Sequence, residues 1–357
     1  MDTVPLHPVP PGRGSASNQA SRYVEWDRTP ADDGWTDEPP ERRRTLVSPD
    51  AARAVITRNQ SPDVPFECSI NPYRGCEHGC AYCFARPTHA WLGLSPGLDF
   101  ETRLSAKYGA ADRLITELRH PGYRCSVIAL GVNTDAYQPV ERSLRITRGV
   151  LEVFESSHHP VIIITKGALI ERDIDLLAAM AHENLVQVMV SLTTLNTPLA
   201  RALEPRAASP VRRLEIIKTL SGAGVPVGAL IAPVIPGLTD HELESLVASA
   251  SDAGARNAGY STLRLPLEVA PLFQAWLEAH QPDRAQRVMS LVRQLRGGRE
   301  NDARFGHRMR GQGPIAELYR QRFALALKRH SMAPRSLDLD TGRFRPPQQP
   351  GDQLTLL

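Results

Sequence analysis

The sequence predicts an α/β fold built on six parallel strands, and three observations carry that expectation. Short apolar runs alternate with amphipathic helical stretches from about residue 65 onward. Six such runs fall within roughly 200 residues, close to the ~31 residues per βα unit of a full eightfold barrel. Glycine and proline mark the boundaries between them.

Taken in order, the expected strands cover residues 66–70, 126–130, 161–165, 186–193, 225–234 and 259–265. Helices are expected between them over 112–119, 143–156, 171–182, 210–223 and 239–253. Pro210 opens its helix where the missing N–H has no partner to lose, and Gly222 and Gly224 end it. Thr239 is read as the next N-cap, with Glu242 completing a capping box. A short helix over 50–57, capped by Asp50, precedes the first strand, and helices over 271–280, 283–296 and 314–330 follow the last. Periodicity leaves two architectures open, a doubly wound sheet and an incomplete barrel. Either places its chemistry at the C-terminal strand ends.

The ends of the chain differ from this middle. Much of the proline (30 residues in all) sits in residues 1–64 and in the tail from 333 to 357, which read as flexible extensions. The expected division is an extension over 1–64, a core over 65–268, a helical region over 269–332 and the tail. No run approaches the ~18–20 apolar residues of a membrane helix, and no apolar leader opens the chain. A cytoplasmic protein with no membrane partner is expected. A net charge of +3 neither implies nor excludes nucleic acid.

Five cysteines in 357 residues exclude a disulfide framework. Three of them, Cys76, Cys80 and Cys83, fall within eight residues directly after the first expected strand. Thiolates at C-x3-C-x2-C can each hold one iron of a [4Fe–4S] cluster, leaving the fourth iron open to a small chelator. Gly75 and Gly79 let the backbone fold closely there. The competing reading is structural zinc with His78 or another cysteine. Such sites usually come as two separated ligand pairs, and Cys68 and Cys125 do not form one.

C-x3-C-x-aromatic-C after the first strand of a βα series resembles the radical S-adenosylmethionine superfamily. Asn133–Glu141 after the second strand, Thr165-Lys166 after the third and residues 69–74, 95–101, 204–210 and 296–299 are similar to its spore photoproduct lyase branch, including relatives called DNA repair photolyase-like. The resemblance spans about residues 52–330. It implies a partial (β/α)6 TIM-type barrel with C-terminal helices. It also implies S-adenosylmethionine as cofactor, a reduced flavodoxin or ferredoxin-type electron donor, and a 5′-deoxyadenosyl radical that abstracts hydrogen from substrate.

Roles follow from the same resemblance. Cys76, Cys80 and Cys83 are metal ligands and Tyr82 lies near the adenine, as do Pro233, Val234, Pro236 and Gly237. Asn133, Thr134 and Asp135 meet the methionyl ammonium, unless they form an ordinary Asx turn. Lys166, Ser191 and Arg206 serve the carboxylate or ribose. Arg264, Arg304 and Arg308, with Arg299 and Arg310, suit phosphate, against the plainer reading of solvated charge. Nucleic acid, with repair-type chemistry, is therefore the expected substrate. A protein or metabolite substrate and a metal-stabilised binding module are the alternatives.

One departure limits the match. Spore photoproduct lyases carry a hydrogen-donating cysteine near the end of strand two, where this chain reads Leu130-Gly131-Val132. Their thymine-dimer reaction is accordingly not transferred. At the far end, Gln353, Leu354, Leu356 and Leu357 resemble the short peptide with which bacterial proteins dock on the replication sliding clamp.

Overall fold

Six strands lie side by side, parallel, in the order in which the chain makes them. The structure is a computed structural model and describes residues 12–24, 44–334 and 338–348. The first strands are β1 (Leu46–Pro49), β2 (Ile56–Arg58), β3 (Cys68–Ile70), β4 (Tyr73–Arg74) and β5 (Arg103–Ala106). Then come β6 (Ile128–Leu130), β7 (Val161–Thr165), β8 (Val186–Ser191), β9 (Val227–Val234), β10 (Asn257–Thr262) and β11 (Ala333–Pro334). The helices begin with α1 (Leu98–Thr102), α2 (Ala110–Leu118), α3 (Glu141–Leu144), α4 (Ile146–Ser156) and α5 (Ile174–His182). They continue with α6 (Thr197–Leu203), α7 (Pro210–Gly222) and α8 (Leu243–Asp252). The last are α9 (Val269–His280), α10 (Pro282–Leu295) and α11 (Gly313–Arg329).

Strand order settles the architecture. β3, β6, β7, β8, β9 and β10 are consecutive neighbours, all parallel. A doubly wound sheet reverses direction at a switch point, and this one never does. One-way winding is the partial barrel. Its first and last core strands are not paired with each other. Antiparallel β2 covers β3 on one side, and parallel β11 covers β10 on the other.

Strand alternation separates two faces. Ile70, Ile128, Leu130, Ile163, Val188 and Ala229 point outward into the main core with Leu114, Phe154, Leu177, Ile216 and Leu246 of the surrounding helices. Ala129, Ile162 and Met189 line the inside with half-buried Val132, Ile164 and Leu230. By the same alternation Ser69, Ser191 and Ser261 face inward.

Several local expectations are overturned. Residues 50–57 form no helix. The Asp50 carboxylate accepts from Ala52 N at 2.8 Å, Glu117 takes the N–H groups of Val55 and Ile56, and Ile56–Arg58 pairs with β3. Three consecutive β-branched residues (Val55, Ile56, Thr57) favour that outcome. The capping box at Thr239 does not form either. Its hydroxyl accepts from Ile235 N at 3.0 Å, and Glu242 instead binds Thr194 and Leu195 N, so α8 starts at Leu243.

The described parts of the extensions are also ordered by contact. Residues 12–24 pack beside the cysteine loop. In the tail, Phe344 lies 5.4 Å from the Tyr123 ring and 5.3 Å from that of His159. Residues 353–357, with their expected docking peptide, lie outside the described residues.

Candidate functional site

The loop from β3 carries Cys76, Cys80 and Cys83 across the C-terminal mouth of the barrel. Gly75 and Gly79 both have positive φ, +77° and +66°, where a side chain would be strained. Cys76 N donates to Phe100 O at 2.9 Å, and Cys83 N closes a turn on Cys80 O at 3.2 Å. Arg86 braces this turn from behind. Its Nε donates to Cys80 O at 3.0 Å, its Nη2 to Gly79 O at 3.2 Å, and Nη2 pairs with Glu101 at 2.5 Å. Glu77 is fixed through Gln138, which accepts from Glu77 N and donates to Gly75 O.

Burial pushes the Cys76 thiol up, with Asp135 and the other two cysteines adding to the effect. Burial likewise pushes Cys80 to about 12, against the pull of the Lys166 charge. Three thiols close enough to influence one another, in a dry loop beside a cation, suit a positively charged metal centre that takes thiolates. His78 turns away to Asp135, its Nδ1 3.3 Å from Oδ2, and so leaves the thiols as the donor set. Among the described residues no three His, Cys, Asp or Glu side chains converge on one point as a single ion demands. A cube whose thiolates each take a different iron does not ask for that convergence.

The structure assigns the surrounding residues unequal freedom. Asp135 is fully engaged: Oδ1 accepts from Tyr137 N and Thr165 Oγ1, and Oδ2 from Lys166 N at 2.7 Å. Although burial opposes it, His78 and these donors hold the carboxyl down at about 2. Thr134 donates its hydroxyl to Tyr73 O at 2.6 Å. Asn133 is exposed, its backbone N–H held by Asn71 Oδ1 at 2.8 Å. Arg206 is tied to Glu77 at 3.0 Å.

Lys166 differs from these. Its ammonium lies 5.9 Å from the centre of the Tyr82 ring and makes no hydrogen bond among the described residues. Burial alone lowers its pKa, but Cys80 and Glu204 outweigh it and the net direction is up, so the group stays charged. Tyr82 is anchored by its hydroxyl to Glu204 and, at 3.0 Å, to Thr193. Glu204 in turn pairs with buried Arg213, which also donates to Ser191 O at 3.1 Å.

Residues 70–250, half of the chain, match the model of the radical SAM superfamily. The chain belongs to the radical SAM superfamily. Membership implies a [4Fe–4S] cluster, S-adenosylmethionine and a reductant. An uncharacterized protein of Mycobacterium tuberculosis is 38% identical over 232 residues, which cover 64% of this chain and 68% of that one. An uncharacterized protein of Methanocaldococcus jannaschii is 29% identical over 174 residues, 48% of this chain and 62% of that one. Among solved structures, spore photoproduct lyase with bound AdoMet and dinucleoside spore photoproduct superposes with a TM-score of 0.55 at 14% identity, covering 80% of this chain and 78% of that one. This likeness is one of fold.

The radical SAM core here has a cationic rim at the end of β10. Arg264 stands 5.0 Å over Phe84, the residue after Cys83, and its Nε is buried without a partner. Among the described residues its guanidinium makes only a weak 3.6 Å contact, from Nη1 to Met309 Sδ. Arg308 pairs with Asp63 at 2.5 Å and stacks on exposed Phe305 at 4.7 Å. Arg304 is exposed and paired with Asp302, Arg299 is exposed, and Arg310 lies over Tyr260 at 3.9 Å. Arg296, which is buried, holds the whole turn by donating to the carbonyls of His307, Arg308 and Leu263.

The sequence singles out the thiols and Lys166, but gives no role to the side chains that brace the loops around them and the rim. Arg86, Glu101, Gln138, Arg213 and Arg296 each act through backbone carbonyls or a buried partner. One signal was present: a charged residue inside an otherwise apolar or glycine-rich stretch needs a partner if it is buried.

Proposed function

We propose that this chain is a radical SAM enzyme in which Cys76, Cys80 and Cys83 hold the cluster and the substrate is nucleic acid. When bound, the cluster and S-adenosylmethionine supply methionine and a 5′-deoxyadenosyl radical. The observation that carries the reading is the placement of three thiols at the barrel mouth, Cys76 and Cys80 buried and Cys83 half-buried, beside a Lys166 charge that makes no ion pair among the described residues.

Each residue then has a physical task. Lys166 binds the methionyl carboxylate, since it is charged, lies beside Tyr82 and Cys80, and touches no protein anion among the described residues. Asp135 acts one step back: by accepting from Lys166 N and His78 it fixes the ends of β6 and β7. Tyr82, locked by Glu204, presents a rigid ring face beside the adenine. Ser191, inward on β8, offers a hydroxyl to the ribose or carboxylate. The apolar wall of Val132, Ile164 and Leu230 excludes water from the space where a reactive radical must not meet solvent.

Nucleic acid is favoured by the rim. Arg264 has no carboxylate partner among the described residues and lies over Phe84, and nearby Arg308 lies over Phe305, which combines phosphate contact with surfaces on which a base can stack. Repair-type, lyase-like chemistry on DNA is the reaction class we assign, with a reduced flavodoxin or ferredoxin-type donor. The test is anaerobic turnover on oligonucleotides deuterated at the damaged site. Deuterium in 5′-deoxyadenosine supports the assignment. Cofactor cleavage with no label transfer from any oligonucleotide, but with transfer from a peptide or metabolite, contradicts it.

A further inference from the structure

Residues 12–24 have no part in the roles described so far, yet they run along the cysteine loop. Arg13, Gly14, Ser15, Ala16 and Ser17 are buried. Gly14 N donates to Glu101 Oε2 at 2.9 Å, and Arg13 Nη1 donates to Glu101 O at 2.9 Å. The other oxygen of Glu101 takes Arg86, whose guanidinium holds the carbonyls of Gly79 and Cys80. A Cβ on Gly14 would stand 1.6 Å from Gly79 O, so only glycine allows this approach. Ala16 packs into one apolar cluster with Cys80, Ala81 and Tyr82.

Further along, the segment crosses the barrel seam. Asn18 Oδ1 accepts from Leu98 N at 3.1 Å, and Gln19 O accepts from Ser95 Oγ at 2.6 Å. Gln19 Nε2 then donates to Glu268 O at 3.3 Å, and Arg22 pairs with the Glu268 carboxylate. Glu268 follows β10, whereas the cysteine loop follows β3. No strand pairing joins those two edges among the described residues. The segment therefore spans the gap that the open barrel leaves.

We propose that residues 12–24 form a positioning strap that fixes the Gly79–Cys80 backbone and keeps solvent from the thiols. Two physical effects follow from it. The Glu101 carboxylate, satisfied on both oxygens, holds Arg86 in the one pose that reaches both carbonyls. The strap also covers the outer side of the loop, and a cluster exposed there would meet water and oxygen. The inference rests on the cysteine part of the proposed function and is independent of the substrate.

The test uses the full chain carrying Gly14→Val or Arg22→Ala, reconstituted with iron and sulfide under anaerobic conditions. Trypsin cleavage after Arg13 in the iron-free protein reports whether the strap has lifted. Loss of visible cluster absorbance on admitting air reports what the strap protects. Gly14→Val is expected to be cut faster and to bleach several-fold faster than wild type, with unchanged circular dichroism. Arg22→Ala, altered only at the far end, is expected to fall between the two.

Faster cleavage with bleaching at the wild-type rate overturns the proposal, as does unchanged cleavage in Gly14→Val. Should Gly14→Val fail to fold, Arg22→Ala decides by the same pair of readouts. A wild-type chain that takes up no iron overturns the cysteine assignment itself, and the strap proposal with it.

Discussion

Glu101 Oε1 lies 2.5 Å from Arg86 Nη2, and both side chains are shut away from solvent. The pair stands directly behind the cysteine loop, so the backbone that carries two of the thiols is positioned by a buried ion pair. Removing one partner strands the other in low dielectric, which costs about 3–5 kcal/mol. Glu101→Gln and Arg86→Met are each expected to lower the unfolding free energy, read from urea denaturation, by that amount. The double variant should lose less than the sum of the two, because neither charge is then left alone.

Lys166 is expected to matter for cofactor binding more than for stability. A charge-assisted contact contributes roughly 1.5–3 kcal/mol, so Lys166→Met should weaken S-adenosylmethionine binding by about 10- to 100-fold. Calorimetry on anaerobically reconstituted protein measures this directly. Equal affinity in the variant would remove Lys166 from the carboxylate site.

At the rim, the structure ranks the arginines differently from the sequence. The sequence makes Arg264, Arg304 and Arg308 equivalent, but Arg304 is paired with Asp302 and Arg308 with Asp63. Arg264→Ala is therefore expected to weaken oligonucleotide binding more than Arg304→Ala. It should also reduce the slope of log K against log salt by about 1. Binding titrations at several salt concentrations check both effects.

His159 gives a pH prediction away from the site. Burial holds its imidazole down at about 4, with Nδ1 3.0 Å from Pro160 O and Nε2 2.6 Å from the Tyr123 hydroxyl. A histidine depressed in the folded state is neutral there while the unfolded chain takes up a proton. Stability is thus full above about pH 6.5 and falls as pH drops toward 4, by on the order of 3 kcal/mol. His159→Phe should flatten that part of the profile in denaturation curves taken between these limits. An unchanged profile would assign the acid sensitivity elsewhere.

Much of the fold was legible because strands and helices announce themselves through local periodicity. Val161–Thr165 and Pro210–Gly222 lie within a residue of their expected limits. Pairing between distant segments is not local, and there the reading failed. Asp50 and Thr239 look like helix caps, but Asp50 closes only a short turn on Ala52 N while pairing with distant Arg74, and Thr239 accepts from Ile235 N behind it. Gly14 sits in a stretch of glycine and serine with no periodicity, and its value comes wholly from the Gly79 carbonyl against it. At the site, residue type and spacing singled out the three thiols, and the family resemblance singled out Lys166. That Asp135 spends both oxygens on the protein was visible only in three dimensions.

The central claim is that Cys76, Cys80 and Cys83 alone tether an iron–sulfur cube with one iron left open to the cofactor. Anaerobic reconstitution followed by iron and sulfide analysis, with electron paramagnetic resonance before and after adding S-adenosylmethionine, tests it most directly. We expect about four irons and four sulfides per chain, a reduced-state signal that changes when the cofactor is added, and loss of both in the Cys76→Ala, Cys80→Ala, Cys83→Ala triple variant. Full iron loading in that variant, or a signal indifferent to the cofactor, would contradict the account.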